Sequence, residues 1–292
     1  MTEVEKYILG VKVNFGLPME DVVKKAVGLL AKEGTHYICT TNPEFIVDAQ
    51  KDIEFKQIIN GASLSIPDGS GVVFAYEYLT RVASLTPGLL YPLRSFLTGI
   101  SVPVLAKERP PVTQGVNLLL HLCEYASKNN LSVGLIGGWP KDSFGRPLKG
   151  GEFNMAFQTS EILKKRYPDL NVVLAESNIR HAESFDVESR SKLLSLYDKE
   201  IDLLFVAFGH PKQEKWIVRN SSLLKAKLSI GVGGSFDSIC NGDFENATKY
   251  SKHNVEWLYR LIKQPWRYKR MLKALITFPG LVFFSTLSKY TS

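Results

Sequence analysis

The stretch from residue 201 to 217 constrains the fold most. Seven of its first eight residues are apolar, Ile201, Leu203, Leu204, Phe205, Val206, Ala207 and Phe208, with Asp202 between them. A run this continuous fits a strand covered on both faces, as in a parallel sheet. Gly209 and Pro211 then end the strand, and residues 212–217 read as the first turns of a helix. In an open α/β sheet such a junction is the carboxyl end of a strand, where ligands bind. The glutamine, lysine and glutamate placed there are expected to face a crevice. An ordinary strand-to-helix turn with solvated charges would carry the same pattern.

The alternation recurs along the chain. Residues 7–13 read as a short strand, 18–31 as a helix ended by Gly34, and 37–40 as a strand broken by Thr41-Asn42-Pro43. Residues 44–56 resume helical spacing, as do 112–127 and 184–199, and a further helix runs up to Tyr167. Buried strands are expected at 131–138, 171–175 and from Leu228 onward. Strands alternating with helices imply an α/β fold, a Rossmann-like doubly wound and mostly parallel sheet. Residues 85–105 are mostly apolar, with Arg94 their only charge. Their three prolines and two glycines argue against a spanning helix and for a surface insertion or a membrane-touching loop. Residues 139–153 read as a Gly- and Lys-rich loop.

Three strand ends carry polar groups. Thr40 and Asn42 lie at one, where helix capping would need only one of them. At the next, Asp68 stands between Pro67 and Gly69, ahead of the apolar run Val72-Val73-Phe74-Ala75. Asp68 can cap that helix, but a carboxylate locked beside two polar loops is also what a general base requires. The last turn, Gly231-Val232-Gly233-Gly234-Ser235-Phe236-Asp237, lacks the dinucleotide fingerprint because Phe236 stands where a glycine is needed. Its glycines still allow a phosphate or sugar to approach the backbone, and tight strand–helix packing is the plainer use.

The net charge of +7 is unevenly placed. Residues 246–292 hold nine of the 36 lysines and arginines and one acid, Glu256, so the body is near neutral and the tail is basic. Such a tail suits anionic lipid, a phosphorylated ligand or nucleic acid. Arg260, Arg267 and Arg270 fall within roughly 80° of arc on one continuous helix, and forked guanidiniums suit a pyrophosphate. Residues 274–287 are nearly uncharged, apolar, interrupted by Pro279-Gly280 and shorter than a bilayer core. The chain thus divides into a body at 1–245 and a basic, amphipathic, membrane-associating appendage at 246–292. Cys39, Cys123 and Cys240 lie in separate apolar segments and read as reduced, buried thiols. Residues 1–6 are polar with no apolar run behind them, so a cytoplasmic protein is expected. The five histidines show no metal-type grouping, and no metal cofactor is expected.

Asn42-Pro43, Ile66-Pro67-Asp68-Gly69-Ser70-Gly71, the segment from Phe208-Gly209-His210-Pro211 to Trp216, the last glycine turn and Glu256-Trp257-Leu258-Tyr259-Arg260-Leu261 together resemble the WecG/TagA/CpsF glycosyltransferases. Five motifs in order span most of the chain. The resemblance is closest to the N-acetylmannosaminyltransferases that build the linkage unit of wall teichoic acid. It implies an inverting, metal-independent transfer from a UDP-sugar to an undecaprenyl-diphosphate-linked N-acetylglucosamine, at the inner face of the membrane. By motif, the base falls on Asp68. The substrate contacts fall on Thr40, Asn42, Arg109, Gly209, Gln213, Gly233 and Gly234, and the appendage arginines on Arg260, Arg267 and Arg270. Arg109 is followed by Pro110-Pro111, and Asn117 stands where the family has an acid. The other reading is a nucleic-acid-binding module that stacks bases on Trp257, Tyr259, Trp266 and Tyr268. It leaves Asp68 and the crevice loops without a purpose. A nicotinamide oxidoreductase is disfavoured by the missing fingerprint, and a homo-oligomer is left open.

Overall fold

A computed structural model describes residues 3–105, 110–139, 154–177, 198–242 and 268–288. The expected strand at 7–13 is instead a hairpin, β1 (Val4–Ile8) and β2 (Val11–Phe15), paired antiparallel. Leu9 and Gly10 turn it with φ of 51° and 75°, the two positive values that a tight two-residue hairpin requires. Leu9 gave no sequence signal for that turn.

The remaining strands form one sheet: β3 (His36–Thr41), β4 (Leu64–Pro67), β5 (Ser132–Gly137), β6 (Asn171–Glu176), β7 (Ile201–Ala207) and β8 (Ala226–Gly231). Their order is β4-β3-β8-β7-β5-β6, and every pairing is parallel. The sheet is the doubly wound α/β architecture expected. On β7, Leu203, Phe205 and Ala207 join one core while Leu204 and Val206 join the other, so the unbroken apolar run is covered on both sides. The first core packs under α1 (Met19–Leu30), α6 (Gly115–Lys128), α7 (Met155–Arg166) and α9 (Ser235–Cys240). The second packs under Trp216 and Ile217 of α8 (Lys212–Asn220).

Residues 44–56 are two helices rather than one. α2 (Pro43–Ala49) stops, and Asp52 caps α3 (Ile53–Gly61) by accepting from the Phe55 N–H at 3.0 Å. The outer edge of β4 is covered by the hairpin: Asn14 Oδ1 accepts from Ser65 N at 3.0 Å, and Ser65 Oγ donates to the Lys12 carbonyl at 2.7 Å. α4 (Ser70–Val82) follows β4. Residues 91–105, expected as a loop or insertion, are helix α5 (Tyr91–Leu105). Cys39 and Cys123 are buried, Cys240 is partly so, and all three are free.

The C-terminal helix runs unbroken from Tyr268 to Leu287, so it is longer than its apolar residues alone suggest. At 1.5 Å per residue it is roughly 30 Å long, about the thickness of a hydrocarbon core. It comprises α10 (Tyr268–Leu272), a π-helical turn (Lys273–Thr277) and α11 (Phe278–Ser288). Pro279 cannot donate back along the helix, and the wider turn just before it absorbs the mismatch without a break. Phe278 and Val282 are buried in a third core with α2, α3, α4, α5 and the hairpin. The helix therefore packs on the body. The expected loop at 139–153 lies outside the described residues beyond Trp139, as do the helix expected at 184–199, apart from Asp198 and Lys199, and the part before Tyr268 of the helix expected to carry Arg260, Arg267 and Arg270.

Candidate active site

The carboxyl ends of β3, β4, β7 and β8 meet at one edge of the sheet. Asp68 follows β4, and its backbone N–H donates to the Thr41 carbonyl at 2.9 Å, tying it to the end of β3. Gly69 has a φ of 93°, a value that lets the chain turn at once into α4 and leaves the half-buried Asp68 just past the carboxyl end of β4. Gly69 itself occupies the N-cap position of α4 and brings no side chain to it.

Asn42 does cap: its Oδ1 accepts from Phe45 N at 3.1 Å at the start of α2. Thr40 is buried, and its hydroxyl donates to the Gly231 carbonyl at 3.2 Å, joining β3 to β8. Residues on α6 reach the same edge. Thr113 N donates to the Pro67 carbonyl at 3.0 Å, and a Cβ on Gly115 would lie 3.6 Å from Ser235 Oγ and 3.7 Å from Thr40 Cγ2. α4 thus starts directly after Asp68 and α6 starts beside Thr40, and helix starts of this kind favour an anion.

Gln213 and Glu214 do not face an open crevice as expected; both are buried. Gln213 Oε1 accepts from Gly209 N at 3.1 Å and from Gly233 N at 3.0 Å, which fastens the β7 turn to the β8 turn. Gly209 and Gly233 take φ of 77° and 52° there, and Gly234 begins α9. Gln213 Nε2 donates to Glu214 Oε1 at 2.7 Å, over Gly231, where a Cβ would meet both side chains closer than 3.0 Å. Burial pushes the Glu214 carboxyl up to about 7, against the opposing pull of Gln213 and His210. Lys212 is exposed, while Lys215 turns away to Asp52 and Glu54 at 2.7 and 2.9 Å.

Arg270 is the appendage arginine among the described residues. It lies against α2, with Nε 2.7 Å from Glu44 Oε2, and Lys273 Nζ is 2.6 Å from Asp48 Oδ1. His210 closes the cluster, with Nε2 3.3 Å from Asp48 Oδ2 and 3.6 Å from Glu44 Oε2, its ring against Phe45. Glu44 and Asp48 were not singled out from sequence, and His210 was quoted only within a motif; the i, i+4 spacing of the two acids on α2 was the available signal. Arg109, Arg260 and Arg267 lie outside the described residues.

The sheet, the helix starts and the carboxylate at the edge define a Rossmann-like α/β protein, a class whose ligands bind at the carboxyl end of the strands. Comparison with known proteins gives the particular family. The description of the glycosyl transferase WecG/TagA/CpsF family matches residues 6–89 and 99–292, and the chain belongs to that family. Over 236 residues it is 27% identical to the N-acetylglucosaminyldiphosphoundecaprenol N-acetyl-beta-D-mannosaminyltransferase of Bacillus subtilis (strain 168), covering 80% of this chain and 74% of the relative. The protein of the same name from Staphylococcus aureus (strain MRSA252) is 26% identical over 273 residues, 93% of this chain and 89% of the relative. That of Bacillus spizizenii is 23% identical over 237 residues, 81% and 74% of the two chains. The chain is a glycosyltransferase.

Proposed function

We propose that the chain moves N-acetylmannosamine from a UDP-sugar to an N-acetylglucosamine carried on undecaprenyl diphosphate. The transfer inverts the anomeric centre, uses no metal ion, and serves cell-wall or surface polysaccharide synthesis at the inner membrane face. The names of the relatives supply the sugar and the acceptor. The observation that carries the reading is Asp68, half-buried just past the carboxyl end of β4 and fixed by its backbone to the end of β3.

In this reading the Asp68 carboxylate takes the proton of the acceptor hydroxyl as its oxygen attacks the anomeric carbon. The bond from that carbon to the diphosphate breaks on the opposite face, and UDP leaves with the electron pair. The N–H groups at the helix starts and the appendage arginines are the groups that take up its charge. Thr40 and Gln213 act here through the backbone they hold, since both side chains bond to neighbouring strands and turns. The test is a screen of UDP-sugars against a polyprenyl-diphosphate-GlcNAc acceptor, with products read by mass spectrometry. A transferred N-acetylhexosamine is expected with the wild type. Asp68→Asn should lose roughly 10²–10⁴-fold in turnover while still folding and binding UDP. Near-wild-type turnover by that variant would refute the assignment.

A further inference from the structure

Helix α5 is built inside out. The side facing the body carries Tyr91, Ser95 and Val102, all buried, within an arc of about 40° at about 100° per residue. Leu93, Phe96, Leu97 and Ile100 occupy an arc of about 100° on the opposite side, and each is more than half exposed. The inner contact is partly polar. Tyr78 Oη lies 2.5 Å from Ser95 Oγ and 3.1 Å from Thr286 Oγ1, so three hydroxyls join α4, α5 and α11. A water-facing helix puts its hydroxyls outside and its leucines inside. Small hydroxyl-bearing residues between helices, with large apolar side chains outside, are how helices pack when the outer medium is hydrocarbon.

The apolar surface continues onto the C-terminal helix. Phe96 meets Phe283 edge-on at 6.1 Å, and beyond that contact Leu272, Leu275, Ile276 and Phe284 are each about half exposed or more. The charges carried by α5 and the C-terminal helix themselves have one sign. No acid stands between Glu77 and Glu108 or after Glu256, while Arg94, Lys269, Arg270 and Lys273 flank the apolar residues, the last two paired with Glu44 and Asp48 of α2. Two copies brought together on this face would oppose cations with cations, whereas an anionic leaflet complements them. Residues 90–98, which carry Leu93, Phe96 and Leu97, interrupt the match to the family description.

We propose that α5 and the C-terminal helix form one membrane-entering platform, whose apolar face sits at the headgroup–acyl boundary of an anionic leaflet. The proposal rests on the transferase reading only in placing the lipid-linked acceptor in that same leaflet.

The test is flotation of the full chain with vesicles of phosphatidylcholine alone or with phosphatidylglycerol. The wild type should float with the anionic vesicles, and less so in high salt. Leu93→Ser/Phe96→Ser/Leu97→Ser should bind them at least about tenfold more weakly, with thermal unfolding unchanged in the absence of lipid. It should keep turnover on a water-soluble short-chain acceptor and lose it on a vesicle-embedded one. Leu97→Cys carrying an environment-sensitive dye gives a readout that does not depend on the triple variant folding: its emission should shift to the blue on anionic vesicles. Undiminished flotation of the triple variant, or no blue shift, would overturn the platform. So would a lipid-free wild-type dimer that the triple substitution dissociates, since a second copy would then be the occupant. A chain inactive on the soluble acceptor that behaves as expected on vesicles overturns the transferase reading and supports the platform.

Discussion

The side-chain oxygen of Gln213 accepts from the backbone N–H of Gly233 at 3.0 Å, across the gap between the turns that follow β7 and β8. The same oxygen also holds Gly209 N at 3.1 Å, so one amide sets the separation of two glycine turns. Gln213→Ala should leave both N–H groups without this acceptor and Glu214 without its donor. At about 1 kcal/mol net per hydrogen bond, the loss should be about 2–3 kcal/mol in urea unfolding. Misplaced turns should also lower kcat/KM by about 10- to 100-fold. Gln213→Glu should recover part of both losses only at acidic pH, where two adjacent carboxyls are not both charged. An Ala variant with unchanged stability would show that the turns are held by something else.

Glu214 gives the protein a pH-dependent stability. Its folded-state value of about 7 lies above the ordinary 4.5, so the folded chain holds a proton that the unfolded chain releases. Stability is therefore full below about pH 4.5 as far as this group is concerned, and falls as pH rises toward 7. The fall should amount to about 3 kcal/mol at most, at 1.36 kcal/mol per pH unit. Its Oε2 has no hydrogen-bond partner among the described residues, which leaves the neutral form at the smaller disadvantage. Glu214→Gln should flatten the fall and be more stable than the wild type at pH 8. Urea midpoints measured from pH 5 to 8 decide it; parallel curves would remove Glu214 as the cause.

The parts of this site that periodicity reports were legible in the sequence. The apolar run of β7, the Pro-Asp-Gly turn at Asp68 and the glycine turns all read correctly as strand ends at one edge. Side-chain direction was not legible. Gln213 and Glu214 look like crevice residues by position, yet the first turn of α8 rolls them under the sheet edge, where a gap over Gly231 receives them. The α2–α3 break was hidden because helical spacing continues across it, and only Asp52 marks the new start. α5 was misread because its prolines and glycines look like breaks, yet the helix Tyr91–Leu105 accommodates Pro92, Gly99 and Pro103.

Arg270 reaches any ligand only by leaving Glu44. The pair is partly exposed and should be worth about 0.2–1 kcal/mol. Glu44→Gln should therefore tighten UDP or acceptor-diphosphate binding by up to about fivefold, and Arg270→Ala should weaken it. The neighbouring latch should persist into acid. Burial raises the Asp48 carboxyl, but hydrogen bonds and charges from His210 and Lys273 outweigh it and hold the group below its usual range. Its contribution is present above the ordinary aspartate value and is lost only as pH falls through the lowered one. Titration calorimetry with both variants is the measurement. Weaker binding by Glu44→Gln would make Arg270 a structural latch rather than a ligand group.

Activity is expected to survive EDTA, because the proposed chemistry stabilises the leaving UDP with helix starts and arginines rather than a cation. Loss in chelator with recovery on adding Mn²⁺ or Mg²⁺ would contradict that part of the reading.

The position of Asp68 depends on how closely α4 approaches α2. A Cβ on Gly71 would stand 2.8 Å from Pro43 Cγ, a rigid ring atom in the first turn of α2, and the helices must separate to admit it. Overpacking of this kind costs about 1–3 kcal/mol, offset in part by the better helix propensity of alanine. Gly69 is a contrast. A Cβ there meets nothing within 4 Å, but the φ of 93° strains any other residue. Gly71→Ala should lower stability by about 1 kcal/mol or more and reduce turnover, since it moves the turn that carries the base. Adding Pro43→Ala should restore much of both losses, because it removes the ring that the new methyl group strikes. A Gly71→Ala variant that is not rescued by Pro43→Ala, in melting temperature or in turnover, would show that the α2–α4 approach does not set the position of Asp68.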